Sequence, residues 1–288
     1  MTAEPTAGAA LALPESRSVT VNGLRLHYLD WGNPSAPALV AVHGYTGSAD
    51  SFNGFARRFR DRFHIVAVDV RGHGESEWSP AAAYRYADQV SDLAGFVDAL
   101  ALARFTLVGT SMGGIIAMAY AGTHGDRLDR LVINDIGPDA EPGSARITAN
   151  VSARPDDFES FGAALTQRAA GSANLAKRSI ENQRELARGV LREQPNGRWA
   201  WKLDPQYVIQ RVQNGAEPRP PLWPVLEGLP CPALVLWAMN SDVLSEAQAK
   251  RMVATLRAGT LVAVPDTEHA PSLVEPAAVD GLERFLGA

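Results

Sequence analysis

Cysteine is almost missing from this chain. Cys231 stands alone in 288 residues, which excludes an intrachain disulfide framework and any multi-cysteine metal site. It sits in Leu229-Pro230-Cys231-Pro232, ahead of an apolar run, where a small buried side chain is expected. No apolar stretch approaches the ~20 residues of a membrane span. A basic excess is missing too: 27 Lys+Arg against 32 Asp+Glu leave a formal charge of −5, without the basic stripe by which nucleic-acid binders neutralise phosphates. The densest basic run, Arg57, Arg58, Arg60 and Arg62, is broken by Phe59 and Asp61 and reads as a solvated helix face. Residues 1–18 contain Glu4, no basic opening, and in Leu11-Ala12-Leu13 too short an apolar core for a secretory signal. A loose tail over residues 1–17 on a cytoplasmic protein is expected, with no nucleic-acid or membrane partner.

What remains is ordinary for a globular chain: 46% hydrophobic and 20% charged residues, at a length that buries roughly three-quarters of the unfolded surface. Ser18–Val21 and Leu24–Tyr28 flank Asn22-Gly23, a two-residue hairpin signal. Thereafter come short runs that are apolar at every position: Ala38–Val42, Ile65–Val68, Phe105–Val108, Leu131–Ile133, Ala233–Trp237 and Thr260–Val264. Such runs suit strands covered on both faces, hence a parallel sheet. Helical patterns lie between them, clearest in Asp88–Ala103 and Met112–His124. The alternation predicts a doubly wound α/β sheet. One interval breaks it. Between Asp135 and Ala233 there is no apolar strand run, but there are helical stretches around Asp156–Ala170, Ala173–Leu191 and Gln206–Gln213, then Pro218, Pro220, Pro221 and Pro224. The interval is too long for a loop and reads as an inserted helical lid.

The strongest chemical signal is Gly109-Thr110-Ser111-Met112-Gly113-Gly114, between a strand run and a helix. In G-x-S-x-G a sharp strand-to-helix turn lifts the serine hydroxyl above the sheet, and glycines flank it because side chains there would collide with neighbouring backbone. The helix start aims amide N–H groups at developing negative charge. The run lacks the glycine spacing of a dinucleotide fingerprint and the Lys-Ser/Thr ending of a phosphate loop.

With this motif in place, the chain resembles the α/β-hydrolase superfamily from about Val19 onward. His43-Gly44-Tyr45-Thr46-Gly47 is similar to its oxyanion loop. Asp69-Val70-Arg71-Gly72-His73-Gly74-Glu75-Ser76 is similar to its D-x-R-G-H-G-x-S loop, and His269-Ala270-Pro271 with Glu275-Pro276 to its terminal H-x-P…E-P segment. The resemblance implies a mostly parallel eight-stranded sheet flanked by helices, with core residues 18–138 and 226–288 and a helical cap over 139–225.

Ser111 is then the nucleophile and His269 the base that takes its proton. The other five of the six histidines have plainer accounts: His27 and His64 in strands, His124 at a helix end, His43 and His73 holding loops. For the acid, Asp242 is expected, because the superfamily usually draws it from the loop after the seventh strand. The segment Ala238-Met239-Asn240-Ser241-Asp242 departs from the common G-x-x-D form, so Asp135, in Asn134-Asp135-Ile136-Gly137-Pro138, stands as the alternative. The backbone N–H groups of Tyr45 and Met112 are expected to form the oxyanion hole, and Tyr45, Trp199 and Trp201 to wall the substrate pocket. No residues have metal-ligand spacing, and no cofactor is expected.

The expected activity is cofactor-free hydrolysis of a small carboxylic ester or lactone through an acyl-enzyme. A serine at the elbow stands against epoxide hydrolysis and dehalogenation, which need a carboxylate there. Carbon–carbon or amide hydrolysis, cofactor-independent oxygen chemistry, and slow-turnover ligand reception remain open on the same frame, since fold similarity does not fix function. Monomer and homodimer remain open as well.

Overall fold

The apolar runs become the central sheet of a computed structural model, which describes residues 13–213 and 217–287. β1 (Glu15–Val21) and β2 (Leu24–Asp30) form a hairpin whose turn residues, Asn22 and Gly23, both have positive φ, at 51° and 78°, as a primed two-residue turn requires. β3 (Ala38–Val42), α1 (Asn53–Phe59), β4 (His64–Val68), α2 (Tyr86–Ala99), β5 (Phe105–Thr110), α3 (Met112–His124) and β6 (Leu128–Asn134) then alternate as expected. Residues 1–12 of the expected tail lie outside the described residues. Residues 15–17 depart from it: they pair with Asp30, Leu29 and Tyr28 as the sheet's edge. Their side chains are exposed, so this half of the strand carries no apolar signal.

After β6 the chain makes a long insert: α4 (Pro142–Ser152), β7 (Asp157–Phe158), α5 (Phe161–Ala170), α6 (Ala173–Ala176), α7 (Ile180–Val190), β8 (Leu191–Glu193), β9 (Trp199–Trp201), α8 (Pro205–Gln213) and α9 (Trp223–Gly228). It is not purely helical. β7, β9 and β8 form a small antiparallel sheet over a core of its own that includes Phe158, Leu165, Val190 and Leu191. Strands of two or three residues are too short to show a period in sequence. The main sheet resumes with β10 (Ala233–Ala238), α10 (Glu246–Thr255), β11 (Gly259–Val264) and α11 (Pro276–Gly287).

The eight strands run in the order β1-β2-β4-β3-β5-β6-β10-β11. β1 and β2 are antiparallel and the remaining pairings from β4 to β11 are parallel. Both faces are covered. α2, α3 and α10 bury Phe96, Ile116 and Met252 on one side; α1 and α11 bury Phe55, Phe59, Leu282 and Phe285 on the other. The chain steps from β3 outward to β4 but from β5 in the opposite direction, so the carboxyl ends of adjacent β3 and β5 open a crevice at a topological switch point, where α/β sheets bind ligands. Among the described residues no helix is long and apolar enough to cross a membrane.

Candidate active site

Ser111 sits between β5 and α3 with φ 53° and ψ −118°, a conformation that costs an ordinary residue about 1–3 kcal/mol and persists only where the surroundings enforce it. Two glycines do so. A Cβ on Gly109 would lie 2.4 Å from the Gly113 carbonyl oxygen, and one on Gly113 would lie 2.1 Å from the Val42 carbonyl oxygen. Only bare backbone lets α3 press this closely on β5 and β3.

The hydroxyl so presented meets a relay. Ser111 Oγ lies 2.8 Å from His269 Nε2, and His269 Nδ1 lies 2.9 Å from Asp135 Oδ2. Asp135 is fully buried at positive φ just past β6. Its other oxygen, Oδ1, accepts the Ala238 N–H at 2.9 Å, and its own N–H donates to Leu236 at 2.9 Å. Every bond of the carboxylate is thus directed by backbone or by the imidazole. With Oδ2 as acceptor, Nδ1 carries the proton and Nε2 is free to accept from Ser111.

The loop after β3 closes the other side. His43 donates from Nδ1 to the Gly44 carbonyl at 2.8 Å and accepts the Val70 N–H at Nε2, 3.0 Å away. His73 Nε2 lies 2.6 Å from the Tyr45 carbonyl. Burial, with the neighbouring His43, pushes the His73 imidazole down to about 4, so it is neutral at pH 7 and serves as a fixed strut. The loop passes so near the elbow that a Cβ on Gly44 would lie 3.3 Å from Ser111 Cβ. The backbone N–H of Met112 opens α3 without an intrahelical acceptor. Asp69 holds the next loop: it accepts from Ala49 N–H at 2.7 Å and Glu75 N–H at 2.9 Å and meets His27 at 2.7 Å. The paired histidine motifs are scaffolding.

A family model described as the alpha/beta hydrolase fold matches residues 37–276. The chain belongs to this family. It is 31% identical over 271 residues, 91% of this chain and 92% of the other, to a 3-hydroxybutyrate-oligomer hydrolase of Cupriavidus necator. It is 39% identical over 124 residues, 42% of this chain and 40% of the other, to an sn-1-specific diacylglycerol lipase of Mus musculus. Among solved structures, an alpha/beta hydrolase from Novosphingobium aromaticivorans superposes with a TM-score of 0.85 at 29% identity, covering 96% of this chain and 99% of that one. This α/β-hydrolase is an enzyme of the hydrolase class.

One expected site residue is misplaced in the sequence reading. Asp242, favoured there as the acid, makes no hydrogen bond to His269. Its two oxygens are held by Arg146, at 2.5 Å from Nε and 2.8 Å from Nη2, and its side chain is 44% exposed. That hydrogen bond from Arg146 holds its carboxyl below the usual carboxylate range. β6 lies directly beside β5 and β10 one strand farther out; what separates the two carboxylates is partnership, His269 for Asp135 and Arg146 for Asp242.

The pocket walls also differ in part. A cavity of about 330 Å³ faces Ser111 and His269 and is walled by Tyr45 together with Arg154, Arg168 and Arg178 of the insert. A smaller one of about 140 Å³ lies on the far side of Ser111 against Met112, Ile115 and Ile136. Trp201 lines a chamber of about 540 Å³ that continues from the first and shares His269 with it. Trp199 does not line these cavities; its ring packs on Phe161 with centroids 4.6 Å apart, against the insert's own core.

Asn134 was not anticipated. Its side-chain amide donates to the Pro271 carbonyl at 2.8 Å and to Thr110 Oγ1 at 3.0 Å, and its backbone carbonyl accepts the Ser111 N–H at 3.0 Å. It ties the histidine loop and the elbow to the same strand end. The only trace in sequence is its place before Asp135. Among the described residues no group of His, Cys, Asp and Glu is arranged to hold a metal ion.

Proposed function

We propose that this hydrolase cleaves small carboxylic esters through an acyl-enzyme on Ser111, with His269 as general base and acid and Asp135 as the triad acid. The observation that carries the reading is the unbroken relay from Ser111 Oγ through His269 to a carboxylate with no exposure to solvent. Ser111 attacks the ester carbonyl as its proton passes to Nε2. The imidazolium so formed is stabilised by Asp135, which stays ionised. The N–H groups of Tyr45 and Met112 receive the oxyanion, each worth roughly 3 kcal/mol in such sites. Collapse expels the alcohol, which takes the proton from His269, and water activated by the same nitrogen releases the acid. The insert serves as the cap over this chamber. An ester link is the natural electrophile for an activated serine, and the name of the Cupriavidus necator relative points to cleavage of a hydroxy-acid oligomer.

Nucleophile, base and oxyanion donors are all supplied by the chain, so turnover of activated short-chain esters should survive exhaustive chelation and dialysis. A fluorophosphonate probe should label Ser111 and no other residue, in step with loss of turnover, as read by peptide mass analysis. Labelling elsewhere while Ser111 stays free would remove the basis of the proposal, as would one slow covalent event with no multiple turnover.

A further inference from the structure

Arg154, Arg168 and Arg178 reach the chamber at Ser111 from three separate stretches of the insert: after α4, in the last turn of α5, and after α6. Several partly buried arginines elsewhere in the molecule carry acid partners, while Arg211 and Arg219 spend their N–H groups on hydroxyl and carbonyl oxygens. Arg57 is held by Glu185, Arg71 by Asp92, and the insert's own Arg198 by Asp157. Among the described residues, none of the three chamber arginines is in an ion pair. Arg168 Nη1 is buried with no hydrogen-bond partner. The Arg154 guanidinium lies over the Trp201 ring, 4.8 Å from its centroid, a contact that leaves its N–H edge unused. Arg178 donates to Asn182 Oδ1 at 2.8 Å.

Holding cations in part away from water, without anions, is unfavourable. Burial pushes Arg154 and Arg178 down from their ordinary values, and burial together with the charge of Arg154 pushes Arg168 down to about 10. All three stay cationic at neutral pH. The acids near them are already bonded. Glu268, on the same wall, acts on Arg146, which Asp242 already holds. Glu275 raises Arg178 by its charge without forming an ion pair with it, and its oxygens accept from the Ser272 N–H and hydroxyl. The arrangement lacks one component, an anion within the chamber that holds the scissile bond. Planar guanidinium groups with free N–H edges match a carboxylate bidentately.

We propose that Arg154, Arg168 and Arg178 bind a free carboxylate of the substrate, so that the preferred ester is an anionic one. This rests on Ser111 being the ester-cleaving nucleophile. The carboxylate has two sources: a hydroxy acid esterified through its hydroxyl, or a dicarboxylic acid esterified at one end.

The test compares kcat/KM for both acid types with their carboxamide analogues, identical but uncharged. Wild type should prefer the acid of at least one pair by about 10- to 100-fold, the size expected of charge-assisted hydrogen bonds; whichever pair shows it identifies the source. Arg168→Met should collapse that ratio towards one, chiefly through KM, with Arg168→Lys intermediate because a point charge replaces a fork. Arg154→Gln gives a second reading should Arg168→Met fail to fold. Succinate or glutarate should slow fluorophosphonate labelling of Ser111 in wild type and not in Arg168→Met. Equal rates on acids and carboxamides, with Ser111 labelled and turning over, would overturn this proposal and leave the hydrolase reading intact. An unlabelled Ser111 and no turnover of any ester would overturn that reading first.

Discussion

Two adjacent strands of this sheet each deliver an aspartate to the same edge, and the two carboxylates have opposite surroundings. Asp135, past β6, is fully buried and, among the described residues, is bonded by the His269 ring and by no Lys or Arg. Asp242, beyond β10, is 44% exposed and held by Arg146. A triad acid must be available to the imidazolium, and a carboxylate whose oxygens are both committed to a guanidinium is not. Asp135 can be buried at tolerable cost because the Ala238 N–H and the His269 ring satisfy its oxygens; an unpaired buried carboxylate would be untenable. Position at a strand end is therefore a weak indicator of catalytic role. Partnership decides.

The sharpest way to break this comparison is to neutralise Asp135. Asp135→Asn keeps an acceptor for the Ala238 N–H but puts an amide against Nδ1, favouring the wrong tautomer. kcat should fall by up to ~10⁴-fold with KM little changed. Circular dichroism and melting should stay near wild type. Asp135→Ala should lose activity likewise and also about 1–3 kcal/mol of stability, because the Ala238 N–H is left buried and unsatisfied. Full activity in Asp135→Asn would move the acid elsewhere.

A middle-sized effect is expected next door. Asn134 keeps a buried carbonyl oxygen, Oδ1, with no hydrogen-bond partner, a poor choice for stability alone. Its donor is what matters: it fixes the loop that carries His269 to the strand that carries Asp135. Asn134→Ala should misplace the imidazole by a fraction of an ångström and lower kcat about 10- to 100-fold. KM and the shape of the pH–rate profile should be unchanged, since no titrating group is removed. A change confined to melting temperature, with kcat intact, would make Asn134 structural only.

How far the primary structure declared all this depends on the region. Strands buried on both faces are legible because an unbroken apolar run has one good explanation; Ala38–Val42 and the helix Met112–His124 emerge with the bounds read from sequence. Ser111 and His269 are legible because their motifs are short and local. The proposed acid is not, since preferring Asp135 to Asp242 requires knowing that His269 meets the first and that Arg146 of the insert meets the second. The arginines of the insert are counted easily but sorted only by their partners. Arg198 and Arg168 look alike in sequence, yet one faces Asp157 and the other faces the chamber at Ser111. Trp199 and Trp201, two residues apart on one strand, both pack against the insert's core, and only Trp201 also reaches the chamber.

The smallest effect should come from Asp242, and its smallness is the informative result. Asp242→Asn removes an ion pair whose partners are 51% and 44% exposed, and such surface pairs contribute about 0–1 kcal/mol. Because Arg146 holds the folded carboxyl below its unfolded value, the contribution is present above the unfolded carboxyl's titration range. It fades as pH falls through the folded one. The wild-type advantage over Asp242→Asn should therefore be visible at neutral pH, vanish in acid, and shrink in high salt. A double-mutant cycle with Arg146→Met should return a coupling of the same small size. kcat should change less than about twofold, since the lost carboxylate bonded neither Ser111 nor His269. The carbonyl of Asp242, which accepts the Gly143 N–H at 2.9 Å, survives the substitution, so the start of α4 keeps its anchor. A collapse of kcat in Asp242→Asn at pH 7, with the fold intact, would mean that the carboxylate leaves Arg146 during turnover and reaches His269.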